Sequence, residues 1–225
     1  MLDTLFEAAA QASNTGNMQT YSVVVTRNAD IKKQLAPAHF NQAMVEQAPV
    51  VLTFCADFRR FSLWCEQREA KPGYGNFESF ISAAVDAIIF AQTLAIAAEA
   101  KGLGLCYLGT TTYNAQEIIA ALELPQLVMP VTTITLGYPA HEPPIIDRLP
   151  LSAIVHNETY HDFASADIDA IYATKENSDF YKQFVAENNK ATLAQVFTDI
   201  RYTQKNNEFF SEKFTNALKQ QGFLQ

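Results

Sequence analysis

The chain has 225 residues, 48% of them apolar, and its 24 acidic and 16 basic side chains give a net charge of −8. This size suits one large α/β domain, and the negative balance argues against nucleic acid as a main partner. Asp86, Gln92 and Glu99 interrupt the longest apolar stretch, so we expect no segment that spans a membrane. No basic or apolar targeting region follows Met1, so we expect no secretory signal and a cytoplasmic location.

Hydrophobic periodicity and turn residues predict helices interleaved with strands. The predicted helices cover residues 2–10, 29–35, 42–47, 58–69, 76–101, 115–122, 168–174, 179–185, 192–202 and 208–221. The predicted strands cover residues 21–26, 50–56, 105–108 and 131–136. This order predicts an α+β domain with a mixed or antiparallel central sheet flanked by helices. A parallel Rossmann sheet is the alternative, although no Gly-x-Gly-x-x-Gly motif supports it.

The longest predicted helix, 76–101, is about 26 residues or seven turns long. Its apolar side chains occupy more than one stripe, and a helix that is apolar nearly all round must be buried on nearly all sides. In a chain of this size, such burial indicates packing against a second subunit. Gly102 stands where a helix commonly ends.

The three cysteines, Cys55, Cys65 and Cys106, are widely spaced and form no Cys-x-x-Cys pair. Cys55 and Cys106 fall within apolar strand patterns, so we expect buried, reduced thiols there. The four histidines show no metal-ligand spacing, and we expect no metal site. A cysteine-dependent hydrolase would need a Cys/His arrangement that the sequence does not offer.

Small polar side chains are concentrated between the first helix and the first strand. Ser13, Asn14, Thr15 and Asn17 place hydroxyl and amide groups beside Gly16, whose backbone can approach a ligand closely. Such a turn can hydrogen-bond a flat polar heterocycle. The same residues also occur in ordinary turns that end helices, because their side chains bond to the nearby backbone.

With four further blocks, this turn resembles the nitroreductase superfamily, in its NADPH-dependent flavin reductase and oxygen-insensitive nitroreductase branch. The blocks follow the family's order and together cover nearly the whole chain. They comprise residues 11–26, 41–57, 86–110, 136–150 and 156–160. The resemblance implies a nitroreductase-like fold and an intertwined homodimer built on a long central helix. It also implies an FMN-binding domain over 1–160 and a helical C-terminal extension of that domain over 161–225.

The activity implied by the resemblance is that of an FMN-dependent oxidoreductase. Hydride would come from NADPH or NADH in a ping-pong cycle, and a nitroaromatic, quinone or free flavin would be the small-molecule electron acceptor. No side chain is expected to serve as a catalytic acid or base. The alternative is a truncated or diverged relative without enzymatic activity, which keeps the dimer scaffold and binds flavin weakly.

Nine residues match the family's positions for FMN contacts. They are Ser13, Asn14, Thr15, Asn17, Gln42, Leu108, Gly109, Thr110 and Arg148. By the resemblance, the Gln42 amide reads the pyrimidine edge of the ring, and the Gly109 N–H approaches the flavin N5. Arg148 is the candidate for the phosphate, because its guanidinium can donate two parallel hydrogen bonds. Lys190 and Arg201 match a basic loop that meets the phosphates of NADPH, although they also suit an ordinary solvated surface.

The chain departs from the family pattern at its basic positions. The family carries an Arg-Ser-x-Arg segment about 25 residues before the equivalent of Ser13, and this sequence begins only a dozen residues before it. Ile146 replaces the family's lysine two residues before Arg148. Each lost charge-assisted contact weakens binding by about 1.5–3 kcal/mol. Three explanations are a start codon placed too late, weak flavin binding or a lost activity; we favour the first.

Overall fold

The computed structural model describes residues 1–141 and 144–224. The chain divides into two compact units. The first is formed by Met1–Ala140 with Phe209–Gln225, and the second by His141–Glu208. The predicted division at residue 160, between an FMN-binding domain and its helical extension, stays a prediction.

The first unit is built on an antiparallel sheet. Among the described residues the sheet has four strands in the order β1-β2-β4-β3, so β1 and β3 are its edges. The strands are β1 (Tyr21–Thr26), β2 (Val50–Asp57), β3 (Gly104–Leu108) and β4 (Val128–Gly137). All three pairings are antiparallel. The antiparallel form of the predicted sheet is therefore confirmed, and the parallel Rossmann alternative is wrong.

Strand β4 begins earlier than the predicted 131 and continues through Pro130. Pro130 pairs with Cys55 where the register of β2 shifts between Phe54 and Cys55. Proline has no N–H to donate to a ladder, and a bulge is one of the few places in a sheet that tolerate it. The irregularity therefore lets a central strand contain a proline.

Helices flank this sheet, and the structure confirms the predicted helices of this unit to within a few residues at each end. In the first unit they are α1 (Leu2–Ala9), α2 (Ala29–Leu35), α3 (Ala43–Gln47), α4 (Arg59–Glu66), α5 (Phe77–Glu99) and α6 (Ala115–Ala121). Asparagine side chains cap two of them, since Asn28 accepts from the backbone of α2 and Asn76 accepts from Ser79 N at 2.9 Å. Gly102 has a φ of +74° just beyond α5, which confirms its predicted place at the helix end.

Helix α5 has a buried face and an outward apolar face. Phe90, Leu94 and Ala98 pack into the main core with Phe54 and Ile134 from the sheet. The outward apolar face consists of side chains between 37% and 60% exposed: Phe77, Ile81, Val85, Ile88, Ile89 and Ile96. At about 100° per residue these six side chains lie within about 120° of the helix circumference. In a single chain the helix is therefore not buried on nearly all sides.

The expectation that no segment could span a membrane is wrong on length and composition. Helix α5 is long and apolar enough to cross one by those two criteria, which alone are weak evidence. Half of its most apolar stretch is buried inside the protein. A core helix of a globular domain meets the same criteria, because its apolar side chains pack against other elements.

The second unit is helical. Its helices are α7 (Ser165–Asn177), α8 (Asp179–Glu187) and α9 (Leu193–Val196), and α10 (Gln204–Gln220) begins in this unit and ends in the first. The predicted helix 192–202 changes character after α9, since Phe197–Arg201 winds as a π-helix. Periodicity over so short a segment does not distinguish the two windings.

One cysteine prediction is wrong. Cys55 is buried in β2, where burial and then Asp57 raise the pKa of its thiol. Cys106 is exposed, because β3 is an edge strand and its middle residues lie uncovered. All three cysteines are free thiols. A neutral, buried Cys55 is a poor nucleophile, which argues further against a cysteine-dependent hydrolase.

Candidate active site

The polar turn after α1 forms a short 3₁₀ helix, Thr15–Asn17, with a left-handed backbone. Gly16 and Asn17 both have a φ of +56°, and Gln19 has a φ of +52°. Glycine adopts this conformation freely, whereas asparagine and especially glutamine adopt it at a cost. The turn is therefore held in place by contacts outside it.

The contact that holds this turn is a buried carboxylate on α5. Asp86 is 2% exposed and accepts from the Thr15 N–H at 2.9 Å and from the Thr15 hydroxyl at 3.0 Å. The Thr20 hydroxyl also donates to Asp86, at 3.2 Å. Burial and then Asp86 raise the pKa of the neighbouring Tyr21 hydroxyl. Three donors from the turn and the residue before β1 thus compensate one buried charge.

The predicted flavin residues in this turn differ in the hydrogen bonds that they already make. The Thr15 hydroxyl donates to Asp86 and accepts from Ser82 Oγ at 3.1 Å. These bonds stabilise the turn and leave the hydroxyl less available to a ligand. Asn14 Oδ1 accepts from Gln19 N at 3.2 Å. Among the described residues the Ser13 hydroxyl makes no hydrogen bond, which leaves it available to a ligand.

A second group joins two motifs that are 68 positions apart in the chain. His39 is fully buried, and its Nδ1 lies 2.8 Å from Thr110 Oγ1. The Gln42 side chain donates from Nε2 to the His39 carbonyl at 3.1 Å. One histidine therefore holds both Gln42 and Thr110, and it leaves Gln42 Oε1 free of any hydrogen bond within the described part of the chain.

His39 acts in this group as a neutral ring. Burial lowers the pKa of His39 to about 4. Within the described residues its Nε2 has no hydrogen-bond partner, so protonation of the ring would bury an uncompensated charge. Phe40 and Asn41, which follow it, both have a left-handed backbone at φ +53° and +54°. Such strain persists only where packing and hydrogen bonds impose it.

The strand end beside Thr110 offers an open backbone surface. Gly109 is exposed, and a Cβ placed on it would meet no atom within 4 Å. Leu108 is 2% exposed and packs in a core cluster with Val45 and Ile118. The predicted contact from Leu108 is therefore limited to its backbone, while Gly109 leaves room for a flat ring.

Further side chains support this second group. Asn114 is buried and donates to the Ala38 carbonyl at 2.8 Å, while Lys213 donates to Asn114 Oδ1 at 2.7 Å. Lys213 also pairs with Glu117 at 2.8 Å. The sequence reasoning missed His39, Asn114 and Asp86. For Asp86 there was a usable signal, because a carboxylate within an apolar helix needs buried partners.

Arg148 lies in the second unit, in a loop that is anchored by its neighbour. Asp147 pairs with Lys175 of α7 at 2.7 Å and accepts from the Tyr181 hydroxyl of α8 at 3.1 Å. The Lys175 hydrogen bond lowers the pKa of Asp147, and Asp147 in turn raises that of Lys175. Arg148 is exposed, and among the described residues it donates only to carbonyls of its own loop, so its guanidinium can take up an anion.

The two predicted NADPH residues also lie in the second unit. Lys190 pairs with Asp199 at 3.0 Å, and that hydrogen bond lowers the pKa of Asp199. The Arg201 guanidinium lies 5.1 Å from the ring centre of Phe184. Both cations therefore have partners within the unit, and their predicted role stays a prediction.

The residues present fit the isoalloxazine part of FMN. The open Gly109 precedes Thr110, and Gln42 with its free Oε1 bonds to His39, so both belong to one hydrogen-bonded group. A flavin edge needs both a donor and an acceptor. Among the nine predicted contacts Arg148 is the single cation for the phosphate. The hydrogen bonds of the described residues do not join the turn around Thr15 to the group around His39.

Comparison with known proteins gives concordant matches. An FMN reductase [NAD(P)H] from Bacillus subtilis is 38% identical over 71% of this chain and 65% of its own length. A Bacteroides fragilis protein of known crystal structure is 57% identical, with a TM-score of 0.98 over 100% of this chain and 91% of that one. A nitroreductase structure from Bacillus subtilis is 27% identical, with a TM-score of 0.85 over 99% of this chain and 89% of that one.

The matched segment of the FMN reductase thus covers just under two thirds of that relative. These similarities confirm the predicted fold, and the relatives' names agree with the predicted branch and with FMN and NAD(P)H as its cofactors. The model of the nitroreductase family matches residues 1–138, which is more than half of the sequence. The chain belongs to the nitroreductase family.

Proposed function

We propose that this chain is an FMN-dependent oxidoreductase that takes a hydride from NADPH or NADH and reduces nitroaromatics, quinones or free flavin in a ping-pong cycle. The observation that carries the proposal is the hydrogen-bonded group of Gln42, His39 and Thr110 beside the open backbone of Gly109. Family membership and the names of the relatives agree with it.

In this proposal FMN, when bound, supplies the hydride chemistry, and the protein binds and orients it. Gln42 Oε1 accepts from the polar edge of the ring, and the Gly109 N–H donates to the opposite side of it. The neutral His39 fixes the position of Thr110 and, through its carbonyl, the position of Gln42. Arg148 pairs with the phosphate. Rate enhancement comes from holding donor and acceptor in a fixed geometry rather than from an acid or base.

The test is to purify the protein with added FMN and to record its absorbance between roughly 350 and 500 nm. We expect a bound-flavin spectrum that bleaches on addition of NADPH without oxygen and returns with a quinone or nitroaromatic. A protein that stays colourless at saturating FMN would contradict the proposal and favour the non-enzymatic alternative.

Variants of the predicted contacts should weaken FMN binding without unfolding the protein. We expect Asn14→Ala and Gln42→Ala to raise the Kd for FMN roughly fivefold each, since a neutral hydrogen bond contributes about 1 kcal/mol. Arg148→Ala should raise it by roughly ten- to a hundredfold, because its hydrogen bonds to phosphate are charge-assisted. Equilibrium titration of FMN fluorescence measures all three values.

Two exposed residues of the same types provide controls for that series. Gln34→Ala on α2 and Arg27→Ala should leave the Kd unchanged, since both residues are exposed and neither is a predicted contact. If all three site variants bind FMN as the controls do, the assigned site is wrong even though the family is right.

We further propose that two copies of the chain form the functional unit and that it works in the cytoplasm on a small-molecule acceptor. The outward apolar face of α5 supports association, because an apolar surface of that width is rarely left in water. Three free cysteines and the use of NAD(P)H agree with a reducing compartment.

A further inference from the structure

An open groove with a volume of about 530 Å³ lies in the first unit. It is formed between the edge strand β1 and helix α4. Pockets of this size hold ligands as large as a drug molecule. None of the residues predicted to contact FMN or NADPH lines it.

One wall of this groove is apolar and carries the single tryptophan of the chain. The Trp64 side chain is 53% exposed, and Leu63 beside it is 44% exposed. The indole packs against Phe61 with ring centres 5.2 Å apart, which restricts its orientation. Pro125 and Val128 complete the wall. A fixed, half-exposed indole offers a flat ring a surface on which to stack.

The other end of the groove is cationic. Arg59 and Arg60 occupy the first turn of α4, and both line the cavity. Arg60 donates to the Gln19 carbonyl. The Arg59 guanidinium makes no hydrogen bond or ion pair with any residue that the structure describes. In a chain with a net charge of −8, an unpaired guanidinium in a groove selects for an anion.

The acid that lines the groove forms no ion pair with either arginine among the described residues, because its oxygens accept from other groups. Asp57 is 6% exposed, and its Oδ1 accepts from the backbone N–H of Arg59 at 2.9 Å and of Arg60 at 3.3 Å. The Ser22 hydroxyl donates to its other oxygen. Asp57 therefore caps α4 and fixes the two arginines at the mouth of the groove.

We propose that this groove is a second binding site, for a flat aromatic carboxylate. The ring lies against Trp64 and the apolar wall, and the carboxylate pairs with the Arg59 guanidinium. The groove shares no lining residue with the proposed flavin contacts. Its nearest link to them is the Arg60 hydrogen bond to the carbonyl of Gln19, whose N–H donates to Asn14.

The experiment follows the indole N–H of Trp64 by ¹H–¹⁵N NMR, which gives one tryptophan cross-peak for this chain. The probe is 2-naphthoate, with 2-naphthylmethanol as its neutral counterpart, and both are titrated into the protein with and without FMN. We expect 2-naphthoate to shift the cross-peak to saturation in both cases. The alcohol should bind at least tenfold more weakly, because it lacks the charge-assisted hydrogen bonds.

Substitutions then locate the binding by calorimetry. Arg59→Ala should weaken 2-naphthoate binding roughly ten- to a hundredfold, and Trp64→Leu should weaken it about fivefold or more. Arg68→Ala is the matched control, since Arg68 is exposed near the end of α4 and does not line the groove. Among the described residues its guanidinium bonds only to the Gln67 carbonyl. Its affinity should equal that of the unsubstituted protein, and its unfolding temperature shows whether such arginine changes disturb the fold.

Three results would overturn the proposal. The first is equal binding of the acid and the alcohol, and the second is an Arg59→Ala variant that binds as the Arg68→Ala control does. The third is an effect of Gln42→Ala on 2-naphthoate affinity that exceeds the effect of Arg59→Ala. That pattern would place the probe at the proposed flavin site and leave the proposed function intact.

Discussion

Replacement of Asp86 by alanine is expected to lower the free energy of unfolding by about 3 kcal/mol, since buried donors left without an acceptor cost about 1–3 kcal/mol each. The N–H of Thr15 and the hydroxyls of Thr15 and Thr20 all donate to this carboxylate. Asp86→Asn should cost about half as much, because an amide oxygen keeps some of the bonds without the charge. Urea unfolding monitored by circular dichroism measures both changes.

The same variants separate fold stability from the shape of the turn. Glu99→Gln on the exposed part of α5 is the control and should change the unfolding free energy by less than about 0.5 kcal/mol. We also expect Asp86→Asn to weaken FMN binding at temperatures where the protein stays folded, because the left-handed turn at Gly16 and Asn17 loses its anchor. A loss of less than about 1 kcal/mol in Asp86→Ala would show that the turn holds its own shape.

Replacement of Ile88 by arginine is expected to abolish the proposed dimer. Ile88 is 50% exposed and lies in the outward apolar face of α5, between Val85 and Ile96. Burying an unpaired guanidinium in an apolar interface costs about 3 kcal/mol or more, which raises the Kd for association by at least roughly a hundredfold. Sedimentation velocity across a range of protein concentrations measures the effect.

The control for that change introduces the same charge on a different helix. Gln34→Arg on the exposed side of α2 should leave the sedimentation coefficient unchanged. If the unsubstituted protein is already monomeric at high concentration, the proposed homodimer is wrong and the apolar face needs another partner. Flotation with liposomes then tests whether that partner is a membrane, as the apolarity of α5 allows.

Much of the fold could be predicted because its elements carry strong local signals. Strand β1 matches the predicted 21–26 residue for residue, since a β-branched run stands between clear turn residues. The predicted start of strand β4 is too late, because Pro130 ends a strand by local rules and only the pairing of β4 with β2 shows the bulge that admits it. The local sequence around Pro130 does not predict its pairing with Cys55 of β2.

The candidate site could be predicted less completely, because its residues depend on contacts distant in sequence. The Thr15 hydroxyl was expected to face a ligand, whereas it bonds to a carboxylate 71 residues away. His39 links Gln42 to Thr110, yet nothing near it in the sequence distinguishes it from any buried histidine. Sequence motifs predict the segments of the candidate site. Tertiary hydrogen bonds determine which polar atoms in those segments remain available to a ligand.

Helix α5 carries Asp86 among its buried residues and the apolar face on its outward side. One helix therefore connects the turn around Thr15, which contains proposed flavin contacts, to the apolar face that is proposed to pack against a second copy. If both proposals hold, thermodynamic reciprocity makes the two equilibria inseparable: by whatever factor association tightens cofactor retention, the cofactor tightens association. Dilution that separates the two copies would then also release the bound flavin.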